Sequence, residues 1–195
     1  MKKRQRLFSS SGQGLVEFAV SLPLLLIVVL GLTEVGYALL DQHVITRLTR
    51  EGSNLISRGT SLQGAATALT GMSSRPVDFD SNSKVIFSVL RKVATTGSAN
   101  FDRLIIYQRY EYGSLSADSI LSTRGASSFG SAPDYEAANS DNDTNLQVTN
   151  MPTDLVVGRG GMIYVTEIFT THTLITPLGR FGINVPETLH SIAYF

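Results

Sequence analysis

Residues 11–40 read SGQGLVEFAVSLPLLLIVVLGLTEVGYALL, and the fold turns on what kind of segment this is. Between Phe18 and Leu40 the only charged residue is Glu34. As a helix, that run extends roughly 34 Å, enough to cross a hydrocarbon core of about 30 Å. Upstream, Lys2, Lys3, Arg4 and Arg6 precede the first acid, whereas the stretch after Leu40 mixes Asp41 and Glu51 with Arg47 and Arg50. That asymmetry predicts a single span with its N-terminus in the cytoplasm and the bulk of the chain on the other side. Pro23 sits near the start of the span, where it is expected to kink or loosen the helix, and Ser21 can satisfy part of the freed backbone.

Composition narrows what the remainder can be. The chain has 195 residues, room for one modest domain beyond the span. Formal charge balances at sixteen basic and sixteen acidic residues, yet all four basic residues of the first twelve precede any acid, so the chain from residue 13 onward carries a net −4. A weakly acidic product is a poor candidate for a nucleic-acid binder, whose phosphate contacts require a clustered basic surface, so no nucleic-acid partner is expected. Cysteine is absent, so disulfides, thiolate catalysis and thiolate metal sites are excluded.

Motifs of catalysis are also missing. His43, His172 and His190 are far apart and none has metal-ligand spacing. Gly158-Arg159-Gly160-Gly161 lacks the Lys-Ser/Thr of a phosphate loop and precedes a strand pattern, so it reads as a turn. No Gly-x-Ser-x-Gly elbow occurs. The expectation is a protein that is not an enzyme and needs no cofactor and no metal.

Glu17 is the residue a simple span does not explain. A cleaved secretory signal would need a small-x-small site, and the best one, Gly36-Tyr37-Ala38, lies at the far end of a full span. A plain signal anchor accounts for everything except Glu17 and the glycines before it. Counting Gln13 as the first residue after Gly12 puts Glu17 fifth and Phe18 sixth, with the apolar helix following at once. This resembles the class III signal of type IV pilin-like proteins, in which a prepilin peptidase cuts after a glycine on the cytoplasmic face and the helix is kept. The resemblance implies a cut between Gly12 and Gln13. The new α-amino group would then carry a charge into lipid, where an unpaired charge costs about 3 kcal/mol or more. Glu17, one helical turn on, is placed to neutralise it in its own subunit or in a neighbour. Such a pair specifies geometry better than it adds stability.

The finer pattern is similar to TadE-like minor pseudopilins of the tight-adherence (Tad) pilus. Glu17-Phe18, then Ser21-Leu22-Pro23-Leu24-Leu25, then Gly31-Leu32-Thr33-Glu34-Val35-Gly36-Tyr37 resemble that family's EF…LP…G..EFGR run, with Val35 and Tyr37 at its Phe and Arg positions. Ile163-Tyr164-Val165-Thr166 and Thr176-Pro177-Leu178-Gly179 resemble its late strand and Thr-Pro-Leu turn. The resemblance implies a bacterial inner-membrane minor pilin or pseudopilin that initiates or caps a filament and supports surface adhesion. Its implied partners are other pilin subunits, the prepilin peptidase, the inner-membrane assembly platform and the lipid bilayer. Glu17, Phe18 and Glu34 are the candidate assembly residues. Glu34, about 25 Å along the axis from Glu17, reads either as a carboxylate reaching headgroup water or as a second contact between subunits. The rival reading of the whole chain is a single-span envelope protein with a binding head and no filament role.

Beyond the span, Leu48, Leu55, Leu62 and Leu69 recur every seven residues, with Ile45, Ile56 and Ala66 alongside. This predicts an amphipathic helix over residues 41–72 laid on a sheet, with breaks near Gly52, Gly59 or Gly64. Strand patterns cover residues 84–90, 103–112, 162–173 and 188–195. An α+β fold follows: a long transmembrane helix continuing into an amphipathic helix packed on a small antiparallel sheet, with residues 73–195 as an extracytoplasmic head. Residues 113–154, rich in Ser, Asn, Asp and Gly, predict an exposed, mobile insertion. Within it, Asp141-Asn142-Asp143-Thr144-Asn145 alternates oxygens like the opening of a calcium loop. Leu146 and Pro152 at the sixth and twelfth positions exclude an EF-hand, leaving an Asx-rich turn or a weak calcium site.

Overall fold

The computed structural model describes residues 11–177, 179 and 187–195. Residues 1–10 of the expected leader and Leu178 of the Thr-Pro-Leu-Gly run lie outside the described residues. The chain divides into two compact units, Met1–Leu39 with Thr173–Val185 and Leu40–His172 with Pro186–Phe195. Helix α1, Ser11–Ser57, contributes to both. Pro23 lies inside it without ending it, and the Ser21 hydroxyl donates to the Glu17 carbonyl.

In the second unit the leucine stripe is carried by two helices, the last part of α1 and a separate α2, Leu62–Met72. The break falls at Gly59, whose φ of +87° is costly for residues with a Cβ. Thr60 N–H reaches back to the Leu55 carbonyl and Gly59 N–H to that of Ile56, the paired bonds of a Schellman C-cap. Ser61 then caps α2 by accepting from Gly64 N–H at 3.1 Å. Gly52 and Gly64 stay helical. Gly52 is needed for packing: a Cβ there would lie 2.8 Å from the Thr166 methyl and 3.2 Å from Leu69.

The sheet has four antiparallel strands, β1 (Ser83–Lys92), β2 (Leu104–Gly113), β3 (Met162–Thr171) and β4 (Thr188–Tyr194), in the order β2-β1-β3-β4. Val85, Phe87 and Val89 of β1 and Ile168 of β3 face the helices, packing with Ile45, Leu48, Ile56, Ala66 and Leu69. The sheet is covered on its other face as well. There Leu90, Ile106, Ile163 and Val165 pack with Leu121, Val148 and Met151 from the β2–β3 connection. This double cover explains why Val85–Leu90 are buried without alternation, a pattern expected of strands sandwiched between two layers.

The β2–β3 connection is therefore more than the exposed segment its composition suggests. Leu121, Ala137, Leu146 and Gln147 within it are buried. Fully buried Asn100 donates to the Ser140 and Asp143 carbonyls, each at 2.8 Å, and accepts from Gln147 at 2.7 Å. The Asx-rich run forms a turn: Asp143 caps a 3-10 segment, Thr144–Leu146, and both carboxylate oxygens of Asp141 are taken, one by Arg91 and the other by Thr95. Among the described residues no three metal-ligating side chains cluster.

Candidate functional site

The candidate site is the N-terminal half of α1 with the chain that folds onto it. Exposed apolar side chains run from Leu15 and Phe18 to Leu39 and Leu40, and the helix is long and apolar enough to cross a membrane. Such a surface is unfavourable in water and suited to lipid or to other apolar helices. Gly12 and Gln13 lie in the first turn and Phe18 is exposed. Glu17 is exposed too, and its Oε1 accepts from the Gln13 side-chain amide at 3.0 Å. The carboxylate thus lies over the turn that begins at Gln13, as the four-residue spacing requires.

Glu34 is 1% exposed, so it does not project into open solvent. Its Oε1 accepts from Ile175 N–H at 3.1 Å, and its Oε2 from Thr176 N–H at 2.9 Å and the Thr176 hydroxyl at 2.6 Å. Three directed donors meet the cost of holding a carboxylate in an apolar setting. Two stretches that resemble one family separately, the Gly-Leu-Thr-Glu run and the Thr-Pro-Leu-Gly turn, thus meet at one carboxylate within the first unit. Sequence reasoning singled out Glu34 but missed its partners. The available signal was that an acid inside an apolar run requires donors, and that an Ile-Thr-Pro turn can present consecutive N–H groups.

In the second unit a further pair was missed: buried His172 places Nδ1 2.7 Å from Asp41 Oδ2. These residues are 131 positions apart, which spacing rules cannot see. A third polar group lies under the β2–β3 connection. Glu167, fully buried on β3, accepts from Ile120 N–H at 2.8 Å and from the Ser119 hydroxyl. Arg109 donates to Ser119 at 3.1 Å and to Ser88 at 3.2 Å. Burial pushes the Glu167 carboxyl above its ordinary value and the Arg109 guanidinium below its own. His190, whose Nε2 lies 3.9 Å from Glu167, is also lowered by burial. Through Ser119 and Ile120 these bonds tie the connection to the sheet.

Comparison with known families bears on the first of these sites. Residues 12–54 match the family model described as TadE-like protein. The N-terminal segment is TadE-like. Comparison with curated proteins and with solved structures finds no match. The TadE-like segment spans Gly12, Gln13, Glu17, Phe18 and Glu34 together, and it associates the chain with the Tad pilus.

Proposed function

We propose that this protein is a minor pilin or pseudopilin of a Tad pilus, built into the filament through its N-terminal helix to initiate or cap it and to support adhesion. In this reading a prepilin peptidase cuts between Gly12 and Gln13, and the protein is a substrate of that enzyme, not itself a catalyst. The precursor is held in the inner membrane with its N-terminus cytoplasmic, and the assembly platform and other pilin subunits are its partners. The observation that carries the reading is the TadE-like match over residues 12–54, which takes in the glycine, the acid at the fifth position after it and the apolar helix. Glu17 lying over the turn that opens at Gln13 supports it physically, because that is where a new amine would need its counter-charge.

Glu17→Ala is the test. Lipid insertion depends on the apolar run, so the variant should fractionate with membranes like the wild type yet be absent from pili sheared off the cells. Wild-type amounts of the variant in sheared pili would eliminate the assembly role of Glu17 and favour a tethered envelope protein.

A further inference from the structure

Three cations line one groove of the second unit and a fourth, Arg159, pairs with its one acid, although the chain beyond residue 12 is net acidic. Lys92, at the end of β1, and the exposed Arg103 and Arg124 line it together with one acid, Asp102. That acid is already shared: Arg159 bonds it at 3.1 Å and Lys92 lies 3.5 Å away. Among the described residues the guanidinium groups of Arg103 and Arg124 have no hydrogen-bond or ion-pair partner. Like charges brought together without counter-charges repel, and such a groove attracts anions.

The walls say which anion. Their uncharged part is mixed: Leu104, Val148, Met151 and Val157 make an aliphatic wall with Val156 at the rim, 88% exposed, and Gln147 and Thr149 add polar groups. Among the described residues no aromatic ring lines the groove, and a nucleobase would find no stacking platform among them. Along the rim the N–H and C=O groups of Val156 and Val157 join no hydrogen bond among the described residues and belong to no strand. Free backbone groups beside an apolar wall are what an added peptide strand pairs with.

We propose that this groove docks an acidic polypeptide segment of a partner protein, with its carboxylates on Arg103 and Arg124, an aliphatic side chain against Val148 and Met151, and its backbone along Val156 and Val157. The site is independent of the assembly helix and of the pilus reading.

The test is fluorescence anisotropy on the full chain in phosphatidylcholine nanodiscs, with a labelled hexapeptide of alternating glutamate and valine as the probe. Exposed ion pairs contribute up to about a fivefold change in affinity each, so Arg103→Ala and Arg124→Ala should each weaken binding by up to that factor, and the double variant by the product of the two, up to about 25-fold. Val156→Asp should weaken it too, and a glutamate-serine hexapeptide should bind less tightly than the glutamate-valine one. All three side chains are exposed and none holds the fold, so circular dichroism should stay at the wild-type spectrum. The proposal is overturned if the glutamate-valine peptide does not bind, if the double variant binds it like the wild type, or if oligogalacturonate of equal charge competes as well as unlabelled peptide.

Discussion

Replacing Gly52 with alanine sets two effects of known sign against each other. In an open helical position the change would stabilise by about 1 kcal/mol, the difference in helix propensity. At Gly52 the new Cβ would stand 2.8 Å from Thr166 Cγ2, 3.1 Å from Thr166 Oγ1 and 3.2 Å from Leu69 Cδ1. Thr166 and Leu69 are both fully buried, and a β-branched side chain on a strand has little rotamer freedom with which to yield. Overpacking of this kind costs about 1–3 kcal/mol, so the net effect should be a loss of roughly 1 kcal/mol. Gly71, a helical glycine of α2 with nothing within 4 Å of its Cβ position, is the control and should show only the gain. The two variants should therefore differ by about 2 kcal/mol, or roughly 4–8 °C in melting temperature for a chain of this size. The assay is thermal unfolding of the full chain in nanodiscs, followed by tyrosine circular dichroism. Thr166→Ser removes the methyl that clashes, so a double-mutant cycle with Gly52→Ala should show favourable coupling of at least about 0.5 kcal/mol. Gly52→Ala raising the melting temperature as much as Gly71→Ala would refute the close approach of α1 to β3.

Two further outcomes follow from buried carboxylates. Thr176→Val removes the hydroxyl bond to Glu34 and should cost about 1.5–3 kcal/mol locally; hydrogen exchange should show faster turnover of the Ile175 and Thr176 amides, and unchanged protection would count against the contact. Burial raises the Glu167 carboxyl, so the folded state holds its proton more tightly than the unfolded chain. That contribution to stability is complete below the ordinary glutamate value and is lost as pH rises through the raised one. Glu167→Gln should flatten this part of the stability-pH curve, whereas an unaltered slope would show that another group produces it.

Much of this architecture was legible because it rests on local patterns. The four strands begin and end within two residues of their alternating or β-branched runs, and the leucine stripe at 48, 55, 62 and 69 identified the helical face that meets the sheet. What sequence could not supply were contacts set by close approach. Gly52, Gly59 and Gly64 look alike as helix-weakening residues, yet one fits under Thr166, one ends α1 and one binds a cap. The polar composition of residues 113–154 concealed a layer held on the sheet by a few buried residues such as Leu121 and Leu146. The unbroken burial of β1 was the available hint, since a strand with one wet face alternates. Glu17 and Glu34 stood out by charge alone, but the partners of Glu34 lie more than 140 residues away, beyond any spacing rule.

The processed N-terminus is the most direct measure of what this chain is. Intact-mass spectrometry of the protein extracted from the membranes of cells that build the pilus should give a polypeptide beginning at Gln13, short by the twelve residues that carry Lys2, Lys3, Arg4 and Arg6. A mass that still includes those residues would mean that no amine forms opposite Glu17, and the assembly account would give way to a tethered domain.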